Sequence, residues 1–195
     1  MTNIENWNNK KFVLEKVKRN GLALQHASKE LQNDKEVVLV AVKQNGRALQ
    51  YTSDELRKDK KVVLVAVKQD GWALYFASEE LRNDKTVAGV AVKQNWEALK
   101  YASIELRSNK AVVLKAVKEC GIALAYASDG LQNDKELALV AVKQDGNALQ
   151  YASKELQNNL EVAVEAINQE WEALHYVGPE ARKAIRELLI NFISK

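Results

Sequence analysis

The chain has 195 residues, 47% of them apolar, and its 29 basic and 26 acidic side chains leave a net charge of +3. That composition can bury a core and excludes a disordered tail, and the charge is too small to imply a nucleic-acid partner by itself. The one cysteine, Cys120, leaves no internal disulfide.

The opening segment, MTNIENWNNKK, lacks the apolar run of a cleaved secretory signal. The longest apolar runs, such as VVLVAV, are too short to span a membrane. The expectation is a soluble protein without a membrane partner, cytoplasmic or exported without a cleaved signal.

From Asn9 onward the chain repeats itself every 25 residues. Asp34, Asp59, Asp84, Asn109, Asp134 and Asn159 mark the step, and so do Leu24, Leu49, Leu74, Leu99, Leu124, Leu149 and Leu174. His26, Tyr51, Phe76, Tyr101, Tyr126, Tyr151 and Tyr176 form a third series. The repeats run 9–33, 34–58, 59–83, 84–108, 109–133, 134–158 and 159–183. A fixed period of this size means stacked units, each covering its neighbour's apolar face. One domain, 1–195, is expected.

Within a repeat the first phrase reads DKEVVLVAVKQ. Asp34 is a suitable N-cap, since its carboxylate can accept from free N–H groups of a first turn. Polar residues enter across the copies at the slots of Glu36, Val40 and Lys43, a spacing of four then three, which is helical. The slot of Val38 is Val or Ala in every copy, where a half-buried strand would admit polar residues. A βα solenoid is the alternative, because the run is rich in β-branched residues.

The second phrase reads GRALQYTSDELRK. Ala48, Leu49 and Thr52 share a helical face, which places a short helix near 46–52. Ser53 then favours a cap, and a turn of 3-10 or α-helix follows near 54–57. Asn95 precedes Trp96 in N-cap fashion, so Trp96 starts this second helix with negative φ and a partly exposed ring. The segment GPEARKAIRELLINFISK (178–195) departs from the repeat, with Pro179 suited to a first helical position. Ala181, Ile185, Leu188, Leu189, Phe192 and Ile193 form an apolar stripe. This is read as a capping helix, 179–195, over the seventh repeat; a dimer seam is the alternative. The fold expected is all-α: a right-handed α-solenoid of seven 25-residue two-helix repeats with a C-terminal capping helix.

The phrase NDKEVVLVAVKQNGRALQYTSDELR and its copies RKDKKVVLVAVKQDGWALYFASEELRND and NDKELALVAVKQDGNALQYASKELQ resemble the short repeats of domain-of-unknown-function family 4116. The resemblance covers nearly the whole chain. It departs where Trp96 and Trp171 stand for Gly, and where Leu160 and Asn168 stand for Lys. It implies tandem helical repeats of a kind found in bacteria that live inside host cells, secreted effectors included. It implies no activity and carries over no catalytic residue.

Residues present in every copy are read as architecture. His26 and His175 lie six repeats apart, so no shared metal site or acid–base pair is expected. Cys120 takes a turn slot without a base or oxyanion donor beside it in sequence. No catalytic residue, cofactor or metal is expected. Two lysine rows recur, those of Lys43 and Lys35, and either could form a ladder of positive charge; the row of Glu30, Glu55, Glu80, Glu105 and Glu155 is a candidate to neutralise one. Nucleic-acid or acidic-surface binding is therefore the second functional reading. The slots of Arg47, Gln50 and Asp54 vary freely and should face solvent. In the central copies they hold Trp72, Tyr75, Lys100, Ile104 and Ile122, with Trp96 beside them. Clustered aromatics on a repeat surface suit a protein partner, against the alternative of scattered surface hydrophobes.

Overall fold

The computed structural model describes residues 7–193. In chain order, α1 (Lys10–Arg19), a 3-10 helix (Gly21–His26) and the one-turn α2 (Lys29–Gln32) make the first repeat. The triplet recurs as α3 (Lys35–Gln44), Gly46–Tyr51 and α4 (Asp54–Arg57), then α5 (Lys60–Gln69), Gly71–Phe76 and α6 (Glu79–Arg82). Next come α7 (Lys85–Gln94), Trp96–Tyr101 and α8 (Ile104–Arg107), followed by α9 (Lys110–Glu119), Gly121–Tyr126 and α10 (Asp129–Gln132). The last copies are α11 (Lys135–Gln144), Gly146–Tyr151 and α12 (Lys154–Gln157), then α13 (Leu160–Gln169) and Trp171–Tyr176, which lead into α14 (Pro179–Ile193). No strand occurs among the described residues, so the βα alternative falls.

The short second helix expected near 46–52 is a six-residue 3-10 helix, Gly46–Tyr51, and the turn expected near 54–57 is the α-turn α4. The 3-10 bonds are direct: Ala48 N–H donates to Asn45 O at 2.9 Å and Thr52 N–H to Leu49 O at 3.2 Å. Such helices are usually shorter, because side chains three apart eclipse. Here the carbonyls at its end are held by a side chain from the following turn. The Gln157 amide donates to Leu149 O at 3.2 Å, Gln150 O at 3.1 Å and Ala152 O at 3.1 Å. Gln32 serves the first repeat in the same way, and Arg57 the second.

Most elements start on a side-chain cap, although Cys120, Ser128 and Glu170 make no such bond. Asp34 accepts from Glu36 N–H and Val37 N–H at 3.0 and 3.1 Å. Asn45, extended at φ −149°, accepts from Arg47 N–H at 3.0 Å, and Ser53 from Leu56 N–H at 3.3 Å. Trp96 opens its 3-10 helix behind Asn95, which accepts from Glu97 N–H at 2.9 Å, and no residue other than glycine has positive φ among the described residues.

The described chain divides into two compact units, whose boundary in sequence falls between Leu106 and Arg107. Inside the first, α1, α3, α5 and α7 pack in series, and so do their 3-10 helices. Inside the second, α9, α11 and α13 do likewise. Each unit is thus a stack of α-repeats. Its core is the row of fully buried leucines in the 3-10 helices, Leu49 and Leu74 in one unit and Leu124 and Leu149 in the other, with Val and Ala from the long helices. α14 packs on α13 through its first turns and buries Ala181. Beyond them Leu188, Leu189, Ile190 and Ile193 stay exposed. The side chain of Phe192 and residues 194–195 lie outside the described part.

Successive repeats within a unit are tied at three points. The Gly21 N–H donates to the Gln44 side chain of the next repeat at 2.6 Å, and Gly46 and Gly71 do the same to Gln69 and Gln94. The Ser53 backbone N–H donates to Gln32 O at 3.1 Å. Lys10 reaches Asp34 at 2.7 Å, Lys60 reaches Asp84 at 2.5 Å, and Lys35 pairs with Asp59. The third tie answers a question that the sequence left open. In the Lys35 row, Lys10, Lys35, Lys60 and Lys110 pair with the N-cap aspartates of the next repeat, and Lys135 pairs with Glu161, rather than with the glutamate row.

Candidate interaction surface

The surface worth attention lies in the first unit, on the 3-10 helices of the third and fourth repeats. Trp72 is half-buried there. The Lys100 ammonium stands 4.3 Å from its ring centroid and the Arg47 guanidinium 5.3 Å, on the neighbouring repeats to either side. Tyr101 meets Trp72 edge-on at 5.7 Å and Tyr75 at 5.0 Å, and Tyr75 also meets Phe76 at 5.1 Å. Aromatic pairs and cations at these distances attract through the ring quadrupole. The cluster is therefore held in place before any partner arrives.

The repeat period builds it. Residues 25 apart stack on one another, so Arg47, Trp72 and the backbone around Glu97 fall into one column. Tyr75 and Lys100 fall into the next. Tyr75 is 56% exposed and Ile104 71%. Beside Tyr75 runs an open groove of about 490 Å³ whose walls include Arg57, Lys58, Phe76 and Arg82, with Asp54 at 3.6 Å from the Arg57 guanidinium.

Of the sequence-derived candidates, the structure brings Trp72, Tyr75 and Lys100 together. Ile104 is exposed on the same unit, and Trp96 is half-buried in it. Ile122 belongs to the second unit and is half-buried there. The Asp54 slot is exposed in each repeat, but the Arg47 slot is half-buried in most, because a long side chain there lies against the next repeat. Arg47 and Tyr101 were not singled out from sequence. The signal for Arg47 was its place one period before Trp72. Tyr101 belongs to the third repeating series, which the sequence presents as architecture, and its contact with Tyr75 depends on stacking.

The electrostatics of the stack are local. Burial acts to raise the Asp59 carboxyl, but the hydrogen bond from Lys35 and those from the Val62 and Lys61 N–H groups outweigh it and hold the pKa below the usual aspartate value. Asp34, Asp84 and Asp134 behave alike. Lys18, Lys43, Lys68 and Lys93 end their helices with exposed side chains, and no ion pair involves them among the described residues. Cys120 is half-buried at the junction of α9 and its 3-10 helix and makes no side-chain cap bond. No group of His, Cys, Asp and Glu able to hold a metal occurs among the described residues, and none of their helices is long and apolar enough to cross a membrane.

The periodicity, the caps and the stacking agree with a family profile that describes a domain of unknown function, DUF4116. It matches at residues 9–57, 59–107, 91–132, 109–157 and 134–180. The chain belongs to this family. No curated protein and no solved structure matches it. The five overlapping matches are what tandem copies of one short repeat produce.

Proposed function

We propose that the chain is a protein-recognition module and that its contact surface is the Trp72–Tyr75–Tyr101 cluster with Ile104. The observation that carries this is an aromatic cluster braced by Arg47 and Lys100 while Tyr75 and Ile104 remain mostly exposed. Aromatic anchors that are ordered before binding lose little side-chain freedom and supply most of the affinity at interfaces. Arg57, Lys58 and Arg82 beside Tyr75 favour a partner segment that joins an apolar anchor to acidic residues.

The test uses a panel of peptides, each with one aromatic or aliphatic residue flanked by glutamates, and matched panels flanked by lysines or serines. The acidic panel binds the chain, and Tyr75→Ala with Ile104→Ala weakens binding about tenfold or more, as loss of interface anchors does. Circular dichroism of the double variant stays unchanged, because both side chains face solvent. Equal binding of the three panels, or binding that survives the double substitution, overturns the reading.

A second reading rests on the row Lys18, Lys43, Lys68 and Lys93, which presents one cation per repeat. A polyanion would meet it. Mixed RNA and DNA at low salt distinguish the two: retention that falls steeply with salt and survives the Tyr75/Ile104 substitutions favours the lysine row.

A further inference from the structure

The outer face of the first repeat is closed by polar side chains. Lys11, Lys16 and Arg19 take the slots of Glu36, Ala41 and Gln44, and all three are exposed. In the second repeat those slots meet the repeat before: Glu36 pairs with Lys10, Ala41 O lies under Gly21, and Gln44 accepts from the Gly21 N–H. Trp7 adds a lid. Its ring meets Phe12 edge-on at 5.3 Å, and its carbonyl accepts from Ser28 N–H at 3.1 Å, as Gln32 O does from Ser53 N–H. A stack of repeats needs a polar end of this kind to stay in solution.

The seventh repeat has no such end. Leu160, Val164, Trp171 and Leu174 are exposed together, and Leu174 is 39% open where Leu149, one repeat earlier, is 0%. They are open because α14 does not turn back over them. Arg182 donates to Leu174 O, His175 O and Val177 O at 2.8–2.9 Å, so α14 begins where Gln157 places an ordinary α-turn. In earlier repeats an Asp or Asn then caps a new helix that lies on the long helix before it. Ala184 takes that slot here, and α14 runs straight from Pro179 to Ile193. Its own Leu188, Leu189, Ile190 and Ile193 are left exposed. One end of the molecule thus holds a face that lacks a helix and a helix that lacks a face.

The charges differ in the same sense. Residues 159–176 hold Glu161, Glu165, Glu170 and Glu172 and neither Lys nor Arg. Glu161 pairs with Lys135 and Glu170 with Asn147, both of the repeat before. Glu172 takes the slot of Arg47, whose side chain reaches Asp70 of the following repeat at 2.7 Å, so it stands beside the open face. On α14 the exposed Arg186 shares a side with Leu189 and Ile193, three and seven residues on.

We propose that the chain forms a two-fold dimer in which α14 of each copy lies on the seventh-repeat face of the other. Leu188, Leu189 and Ile193 cover Val164, Trp171 and Leu174, and Arg186 meets Glu172. Such a contact is self-complementary, each copy giving a helix and receiving one, and it closes at two. The first repeat of a second copy is a poorer occupant, because Lys11, Lys16 and Arg19 would lose water against an apolar face. The contact involves the second unit alone, so it stands whether or not the Tyr75 surface binds a partner.

Sedimentation velocity of the full chain across a dilution series tests this. The wild type sediments as a dimer that dissociates on dilution. Trp171→Glu, on the face, and Leu189→Glu, on the helix, each raise the dissociation constant about thirtyfold or more, as loss of an interface anchor does. Circular dichroism of both stays unchanged, because both side chains are exposed in the single chain. Arg186→Glu and Glu172→Arg each weaken the dimer alone, and an equal mixture of the two restores it, since both contacts across the two-fold then join opposite charges. A monomer at every concentration overturns the proposal, and so does a series of species that grows beyond two, which head-to-tail stacking would give. A dimer that survives Trp171→Glu or Leu189→Glu, or that the mixture fails to restore, overturns the arrangement.

Discussion

Replacing Gly146 by Ala and Gly130 by Ala is the same chemical change with opposite expected signs. Both lie in the second unit. A Cβ on Gly146 would sit 2.5 Å from Ala166 O and 3.0 Å from the Glu170 N, while one on Gly130 meets nothing within 4 Å. At Gly146 the contact falls about 0.5 Å short of the closest approach that real Cβ atoms make. The atoms in the way are backbone, so α13 must move away from the sixth repeat. Overpacking of this kind costs about 1–3 kcal/mol, and in a unit of this size each kcal/mol lowers the melting temperature by roughly 4–8 °C. Gly130 is exposed in α10 with ordinary backbone angles. Alanine there restricts the unfolded chain and favours helix, adding about 0.5–1 kcal/mol. Urea unfolding followed by circular dichroism, with exchange resolved to the second unit, reads both. A Gly146→Ala protein as stable as wild type refutes the close-approach argument. A loss at Gly130 equal to that at Gly146 assigns the effect to helix chemistry and not to stacking.

Acid should weaken the first unit more than the second. Asp34, Asp59 and Asp84 in the first unit and Asp134 in the second have folded pKa values held below their ordinary ones. A depressed carboxylate contributes stability that is fully present above its unfolded pKa and is lost as pH falls through its folded pKa. Stability measured downward from pH 5 should therefore drop more steeply for exchange peptides of the first unit, and Asp59→Asn should flatten that slope; equal slopes in the two units contradict it. Leu49→Ala, in a fully buried slot, should cost about 2–5 kcal/mol and lower the midpoint of the first unit, and a loss below about 1 kcal/mol would mean that the leucine row is not the core.

Much of the local structure was legible because its causes are local. Asp34, Asn45 and Ser53 cap the residues two and three positions after them, so each cap is written within four residues of sequence. Trp96 has ordinary backbone angles because Asn95 precedes it, which the neighbouring copies already indicated. The 3-10 character of the second element was not legible as such. It depends on Gln157 or Arg57 folding back seven or eight residues to hold the carbonyls at the end of the helix. Which row the glutamates would neutralise was left open in the sequence for a related reason. Glu55 looks available in sequence, but its carboxylate is occupied by its own backbone N–H and the Ser53 hydroxyl, which hold its pKa down. The aromatic cluster was half legible: Trp72, Tyr75 and Lys100 stood out as variable residues, whereas the roles of Arg47 and Tyr101 required knowing which rings meet.

By itself the sequence determined the period, the helical class, the caps and the family, since all of these are patterns of residue type at short range or at a fixed step. Only the tertiary structure decided why glycine recurs at the slot where Trp96 and Trp171 do not conform. The group that excludes a side chain there is a carbonyl oxygen twenty residues further along, brought within van der Waals distance by stacking. A backbone oxygen has the same chemistry in every residue, so no pattern of residue types announces it.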